Sequence, residues 1–157
     1  MRFKTSEDVD APVSLVWARI IDFSGVEADI RARGATLSRV GQWTQIHSGA
    51  EWRGQVQIRG RLRPVSSRIA TLIPEDSCDI HTQIGGLEAV YELRLIALRE
   101  DFTRIQAMLN LSASSLSARL SLQTLKLARG RVLTRMQTML ARQGAKAEAD
   151  HQALRQN

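Results

Sequence analysis

The stretch LSARLSLQTLKLARGRVLTRMQTML, running from Leu116 to Leu140, decides how this chain is read. At 100° per residue, Ala118, Leu122, Leu125, Val132, Leu133, Met136, Met139 and Leu140 fall on one broad stripe, while Arg119, Lys126, Arg131, Arg135 and Arg142 lie mostly off it. The pattern predicts one amphipathic helix on the order of 40 Å long, enough to cross a small domain. Leu116, Leu120 and Leu127 form a second cluster on roughly the opposite side, so the front half of the helix is expected to have apolar neighbours on two sides. Ser114 and Ser115 are its N-cap candidates, because a hydroxyl there can accept an orphan N–H of the first turn. Gly130 costs about 1 kcal/mol relative to Ala inside the helix and marks the place for a kink or a close backbone contact. Arg129 is the one charge within the stripe and must either snorkel outward or pair with a carboxylate.

With 157 residues, 43% of them hydrophobic, the chain fits a single domain over 1–142. Residues 143–157, ending GAKAEADHQALRQN, have little to bury and are expected to fray. The net charge is +6, but of 22 basic residues only Lys4, Lys126 and Lys146 are lysines, and the arginines are dispersed. Aromatic residues suited to base stacking are few at 4%, so no specific nucleic-acid partner is expected. Diffuse arginines support only weak, salt-sensitive contact with phosphates or anionic membranes. Cys78 is the single cysteine, which excludes an intramolecular disulfide and any metal site built from several thiolates, and suits a reducing compartment. The opening MRFKTSEDVDAP lacks the apolar core of a signal peptide. The longest uncharged run, Ile105 to Ala118, is 14 residues and serine-rich, too short and polar for a transmembrane segment. A cytoplasmic protein is the expectation; the oligomeric state is left open.

Phe3, Thr5, Glu7 and Val9 alternate with polar residues in a first strand that stops at Asp10-Ala-Pro12. Pro12 suits a first helical turn, and Val13, Val16, Trp17, Ile20 and Ile21 recur at helical spacing. Asp22-Phe-Ser-Gly25 breaks this helix, with Asp22 or Ser24 able to cap a second one to about Arg33, ended by Gly34. Beyond Ala35 the period changes to alternation. Leu37 to Val40 is a brief strand and Gly41 to Gly49 a loop, after which Ala50, Trp52, Gly54, Val56 and Ile58 share one face. The strand from Gly60 to Ile73 has no clear inward face, since Val65, Ile69 and Ile73 compete with Leu62, Ala70 and Leu72. Cys78, Ile80, Thr82 and Ile84 then alternate cleanly. Gly85-Gly86 turns a hairpin into Leu87, Ala89, Tyr91, Leu93, Leu95 and Ala97, and Thr103 to Leu111 forms the last strand. The result is an antiparallel meander with an inner and an outer face.

This order, one strand, two short helices, a meander and a long C-terminal helix, resembles the START-like or SRPBCC superfamily with its α+β helix-grip fold. Asp10-Ala-Pro12, Val16-Trp17 and Ile21-Asp22-Phe23 are similar to that family's opening D-x-x-A-P-x-x-x-V-W-x-x-x-x-D-F pattern. The Trp52 strand, the Gly60 turn, Pro74-Glu75 and Gly85-Gly86-Leu87 fall where polyketide-cyclase/dehydrase-type members carry similar features. The likeness spans about residues 3 to 140. It implies a curved sheet gripping the long helix around an apolar cavity that takes a lipid, polyketide, quinone or other hydrophobic small molecule, with only some members enzymes.

Candidate chemistry is sparse. His47 lies in a Gly-bounded loop and His81 on the outward parity of its strand, so neither is assigned acid/base work. Cys78 reads as a small buried hydrophobe, Trp17 as core, and Arg59, Arg61 and Arg63 as a basic outer rim. Metal-ligand spacings and dinucleotide or Walker glycine patterns are absent, so no cofactor or metal is expected. Tyr91 and Thr82 stand out because a hydroxyl on an apolar inward face needs a partner, whether protein, water or ligand. The expected ligand wall is Trp52, Val56, Ile80, Thr82, Tyr91, Leu93, Ile105 and Leu109, with Leu120 and Leu127 from the helix as lid. The favoured function is non-catalytic binding of a hydrophobic small molecule between sheet and C-terminal helix. A cyclase/dehydrase-type enzyme using the same cavity and a protein-interaction module are the alternatives.

Overall fold

The computed structural model describes residues 1–157. Seven strands, β1 (Arg2–Val9), β2 (Thr36–Arg39), β3 (Glu51–Ile58), β4 (Arg61–Ile73), β5 (Ser77–Ile84), β6 (Leu87–Arg99) and β7 (Phe102–Ala113), form one antiparallel sheet in the order β1-β7-β6-β5-β4-β3-β2. Two short helices, α1 (Val13–Ile20) and α2 (Phe23–Ala32), follow β1, and α3 (Leu116–Leu127) and α4 (Arg129–Arg155) close the chain. This is the α+β helix-grip arrangement that the resemblance implies, with the antiparallel meander and flanking helices where the periodicity predicts them.

Inward parity holds on β1, β3, β5, β6 and β7. Phe3, Val9, Trp52, Cys78, Leu93, Leu95, Ile105, Ala107 and Leu111 are buried in one apolar core, where removal from water is worth roughly 1.5–3 kcal/mol for each large side chain. The undecided face of β4 has a local cause. Its pairing with β5 shifts register between Ile69 and Thr71, a bulge at Ala70 that turns the strand over. Ile69 therefore faces the core before it and Leu72 after it, and no single alternation fits the whole segment.

The C-terminal helix departs from expectation in two respects. It is two helices, broken at Ala128 (φ −103°, ψ 18°), while Gly130 has open space around it and makes no close contact. Ser115 caps α3 as expected, accepting from the Ala118 N–H at 3.2 Å. Arg129 finds a third solution. Its guanidinium donates to the Arg2 carbonyl at 2.8 Å and lies 4.8 Å from the Phe3 ring centroid.

The expected frayed tail at 143–157 is the second half of α4, helical to Arg155. What it buries is small. A Cβ on Gly144 would lie 2.9 Å from Val9 Cγ2, so the bare glycine lets the helix backbone descend onto β1, and Ala147 below it is fully buried. Glu148 accepts the Asp10 N–H at 3.2 Å, and Asp150 takes a two-pronged bond from Arg19 of α1 at 2.6 and 2.7 Å. The tail is thus docked by close backbone approach and polar contacts, which a search for large apolar residues does not register.

α4 packs on β1 and α1, and α3 on β7, leaving the concave face of β3–β5 to α2. Gly144→Leu should lower stability by about 1–3 kcal/mol through overpacking against Val9. Gly130→Ala, in open helical space, should raise it by up to about 1 kcal/mol. Thermal denaturation of both variants checks the pair; equal tolerance at the two positions would mean that α4 does not rest on β1.

Candidate functional site

Between α2 and the inner face of β2–β6 lies a cavity of about 360 Å³, inside the size range of small-molecule sites. Of its fifteen lining residues eleven are hydrophobic, so its polar groups can be followed one by one. The exceptions are Glu27, Thr36, Ser67 and Thr82. Thr36 Oγ1 accepts the Gln55 N–H across β2–β3 at 3.0 Å. Ser67 and Thr82 face each other on β4 and β5, and their hydroxyls share a 2.5 Å hydrogen bond.

Glu27 is the buried charge. Its side chain is 6% exposed, on the face of α2 that also carries Phe23, Val26 and Ile30. Arg39 grips it with both prongs, Nε to Oε2 at 2.9 Å and Nη2 to Oε1 at 2.6 Å, and Trp52 Nε1 donates to Oε2 at 2.9 Å. The Arg39 hydrogen bonds hold the carboxyl below its ordinary value of 4.5, with Trp52 adding to them and burial opposing. The Trp52 ring is packed in turn, 5.5 Å from Phe23 and 5.0 Å edge-to-face from Trp43. Arg39 also lies over Trp43, 4.6 Å from its ring centroid.

Tyr91 is different. Its hydroxyl has no protein partner, yet it lines the cavity, and burial pushes its pKa up to about 12. It therefore stays protonated across the physiological range and offers a hydrogen-bond donor to whatever occupies the space.

Of the ten residues expected to form the wall and lid, the structure brings together Trp52, Val56, Ile80, Thr82 and Tyr91. Leu93 and Ile105 are buried in the core and Leu109 packs against it, all outside the cavity lining. Leu120 and Leu127 do not form a lid. They are 49% and 91% exposed on the outer side of α3, and the cavity is roofed by α2 instead of the C-terminal helix. Sequence reasoning missed that roof and Glu27 within it, although Phe23, Val26, Glu27 and Ile30 at helical spacing carried the signal. Outside the cavity, His81 lies in an outer groove beside Arg68, and His47 Nδ1 is 3.0 Å from the Ser48 carbonyl. Cys78 is fully buried, with burial raising its thiol to about 11. Arg59, Arg61 and Arg63 form no outer rim, since all three line a groove with Ser117 and Ser121 of α3.

The fold is shared with solved structures at low sequence identity. The Zhui aromatase/cyclase from Streptomyces sp. R1128 is 18% identical, with a TM-score of 0.65 over 94% of this chain and 93% of that one. Truncated norcoclaurine synthase from Thalictrum flavum is 11% identical, with a TM-score of 0.64 over 93% and 91%. A START superfamily protein from Mycobacterium smegmatis is 14% identical, with a TM-score of 0.51 over 88% and 98%. The chain therefore has the START/SRPBCC helix-grip fold. No family model and no curated protein matches its sequence.

Because the folded pKa of Glu27 is depressed, its stabilising contribution is complete above its ordinary value and is lost as pH falls through the lowered one. Glu27→Gln should cost on the order of 1–3 kcal/mol at neutral pH, the worth of hydrogen bonds to a charged group. It should also flatten the decline of melting temperature below pH 4.5. Melting curves from neutral to acid pH test this, and an unchanged acid limb would remove Glu27 from the account.

Proposed function

From this fold and the space beneath α2, we propose that the chain binds a hydrophobic small molecule in the cavity formed by α2 and the inner sheet face, without transforming it. The observation that carries the reading is the state of the lining polar groups. Glu27, Thr36, Ser67 and Thr82 all have protein partners, and Tyr91 alone presents an unpartnered hydroxyl in apolar walls. Such a site suits a largely apolar ligand with a single acceptor near Tyr91. The binding residues in this reading are Trp52, Val56, Ile80, Thr82 and Tyr91, together with Phe23, Val26 and Ile30 of α2.

The chemistry of the same groups favours binding over the cyclase or dehydrase alternative. General acid–base catalysis works best with pKa values near the operating pH. Tyr91 is far above that range, and Glu27 is pulled below its ordinary value and locked by Arg39. Neither histidine of the β-sheet region lines the cavity.

Filling the space distinguishes a binding cavity from an unused void. Ile80→Trp should abolish the tryptophan fluorescence response of the wild type to a lipophilic probe while retaining a cooperative melt. Tyr91→Phe should weaken a medium-chain ketone by about 0.5–1.5 kcal/mol and leave the alkane of equal length unaffected, as loss of one hydrogen bond requires. Fluorescence titration reads the first and isothermal titration calorimetry the second. Binding that survives Ile80→Trp would overturn the site, and a large loss of turnover on a reacting substrate in Tyr91→Phe, with little change in affinity, would favour the enzyme.

A further inference from the structure

We propose that the outer face of α3 is a docking surface for an anionic lipid bilayer. Leu116, Leu120 and Leu127 are 74%, 49% and 91% exposed and lie within 40° of one another around the helix axis. The opposite stripe, Ala118, Leu122 and Leu125, faces the core, so α3 is apolar on two sides and covered on one. No packing need explains the outer leucines.

The charges around them identify the occupant. Arg119 and Lys126 border the leucine stripe on one flank. On the other, Arg59 from the β3–β4 turn donates to Thr124 Oγ1 at 2.6 Å, which brings a third cation alongside the helix. None of the three is in an ion pair, and no carboxylate stands nearby in sequence. The chain has no Asp or Glu between Glu51 and Glu75, nor between Asp101 and Glu148, and these two segments supply the whole surface. Central leucines flanked by cations match an interfacial helix. The leucines reach the boundary between headgroups and acyl chains, while Arg and Lys extend along the surface to lipid phosphates. A second copy of this chain would set the same cations against each other, and a nucleic acid would engage the cations but give the leucines nothing to bury.

Flotation of the full chain with vesicles tests the proposal. Wild type should co-float with mixed phosphatidylcholine–phosphatidylserine vesicles and not with phosphatidylcholine alone, and binding should weaken steeply with salt. Because its three positions are exposed, Leu116→Ser/Leu120→Ser/Leu127→Ser should retain the wild-type melting temperature and lose at least about tenfold in vesicle affinity. Arg119→Gln/Lys126→Gln should lose about 30-fold, from roughly fivefold per cation near an anionic surface. No flotation of wild type, equal flotation on neutral vesicles, or indifference to both variants overturns the proposal. Self-association of wild type that the serine variant abolishes would assign the face to a second copy instead. Tight duplex-DNA binding unaffected by the serine substitutions, without flotation, would assign the cations to nucleic acid; either result also overturns it.

Discussion

A carboxylate held at 6% exposure in an apolar wall is the constraint around which this molecule's interior is arranged. An ion removed from water is stable only if fixed partners replace the solvent, and the fold provides both partners from one place. Arg39 and Trp52 are paired residues of the β2–β3 ladder, so a single rung presents the guanidinium and the indole to Glu27. That rung ties α2 to the sheet at one point along its length, while Arg31 pins its C-terminal end to the Leu37 carbonyl at 2.8 Å. Around these ties the apolar residues of α2 and the strands face one another across open space instead of interlocking. The cavity is therefore a product of polar attachment as much as of sheet curvature.

How far this was legible in the sequence depends on the range of the signal. Period-two alternation is local, and it placed Trp52, Val56, Ile80, Thr82 and Tyr91 on the inner face correctly. It could not tell which part of that face a helix would cover. Leu93 and Ile105 share the parity of Tyr91 but lie where α1 approaches β6 and β7, and so became core. The bulge at Ala70 defeated any single parity for β4, because one inserted residue reverses every side chain beyond it. The docked end of α4 was illegible for another reason: Gly144 and Ala147 work by the atoms they lack, whereas hydrophobic pattern reading counts atoms present.

The solved structures that share the fold sharpen this distinction. Identities of 11–18% accompany near-complete coverage, so what is shared with those proteins is the course of the backbone. A curved sheet, a roofing helix and a docked terminal helix require apolar residues at certain spacings and tolerate wide variation in which ones. The Glu27–Arg39–Trp52 contact and the lone Tyr91 hydroxyl are side-chain features of the cavity, and function rests on such features and not on the scaffold.

The sheet order also bears on how the chain reaches its native state as it leaves the ribosome. β1 lies far ahead of its only strand partner, β7, in the chain, with Phe3 opposite Leu109, and its covering helix, α4, comes later still. Phe3 and Val9 cannot be buried until β7 and α4 have emerged, since loop closure over such separations must precede any reward. The β3–β6 hairpins, by contrast, pair with near neighbours and can form during elongation. Synthesis thus leaves β1, with its two core residues Phe3 and Val9, unpaired until β7 has been made, a natural point of engagement for a chaperone and of mispairing when none is at hand.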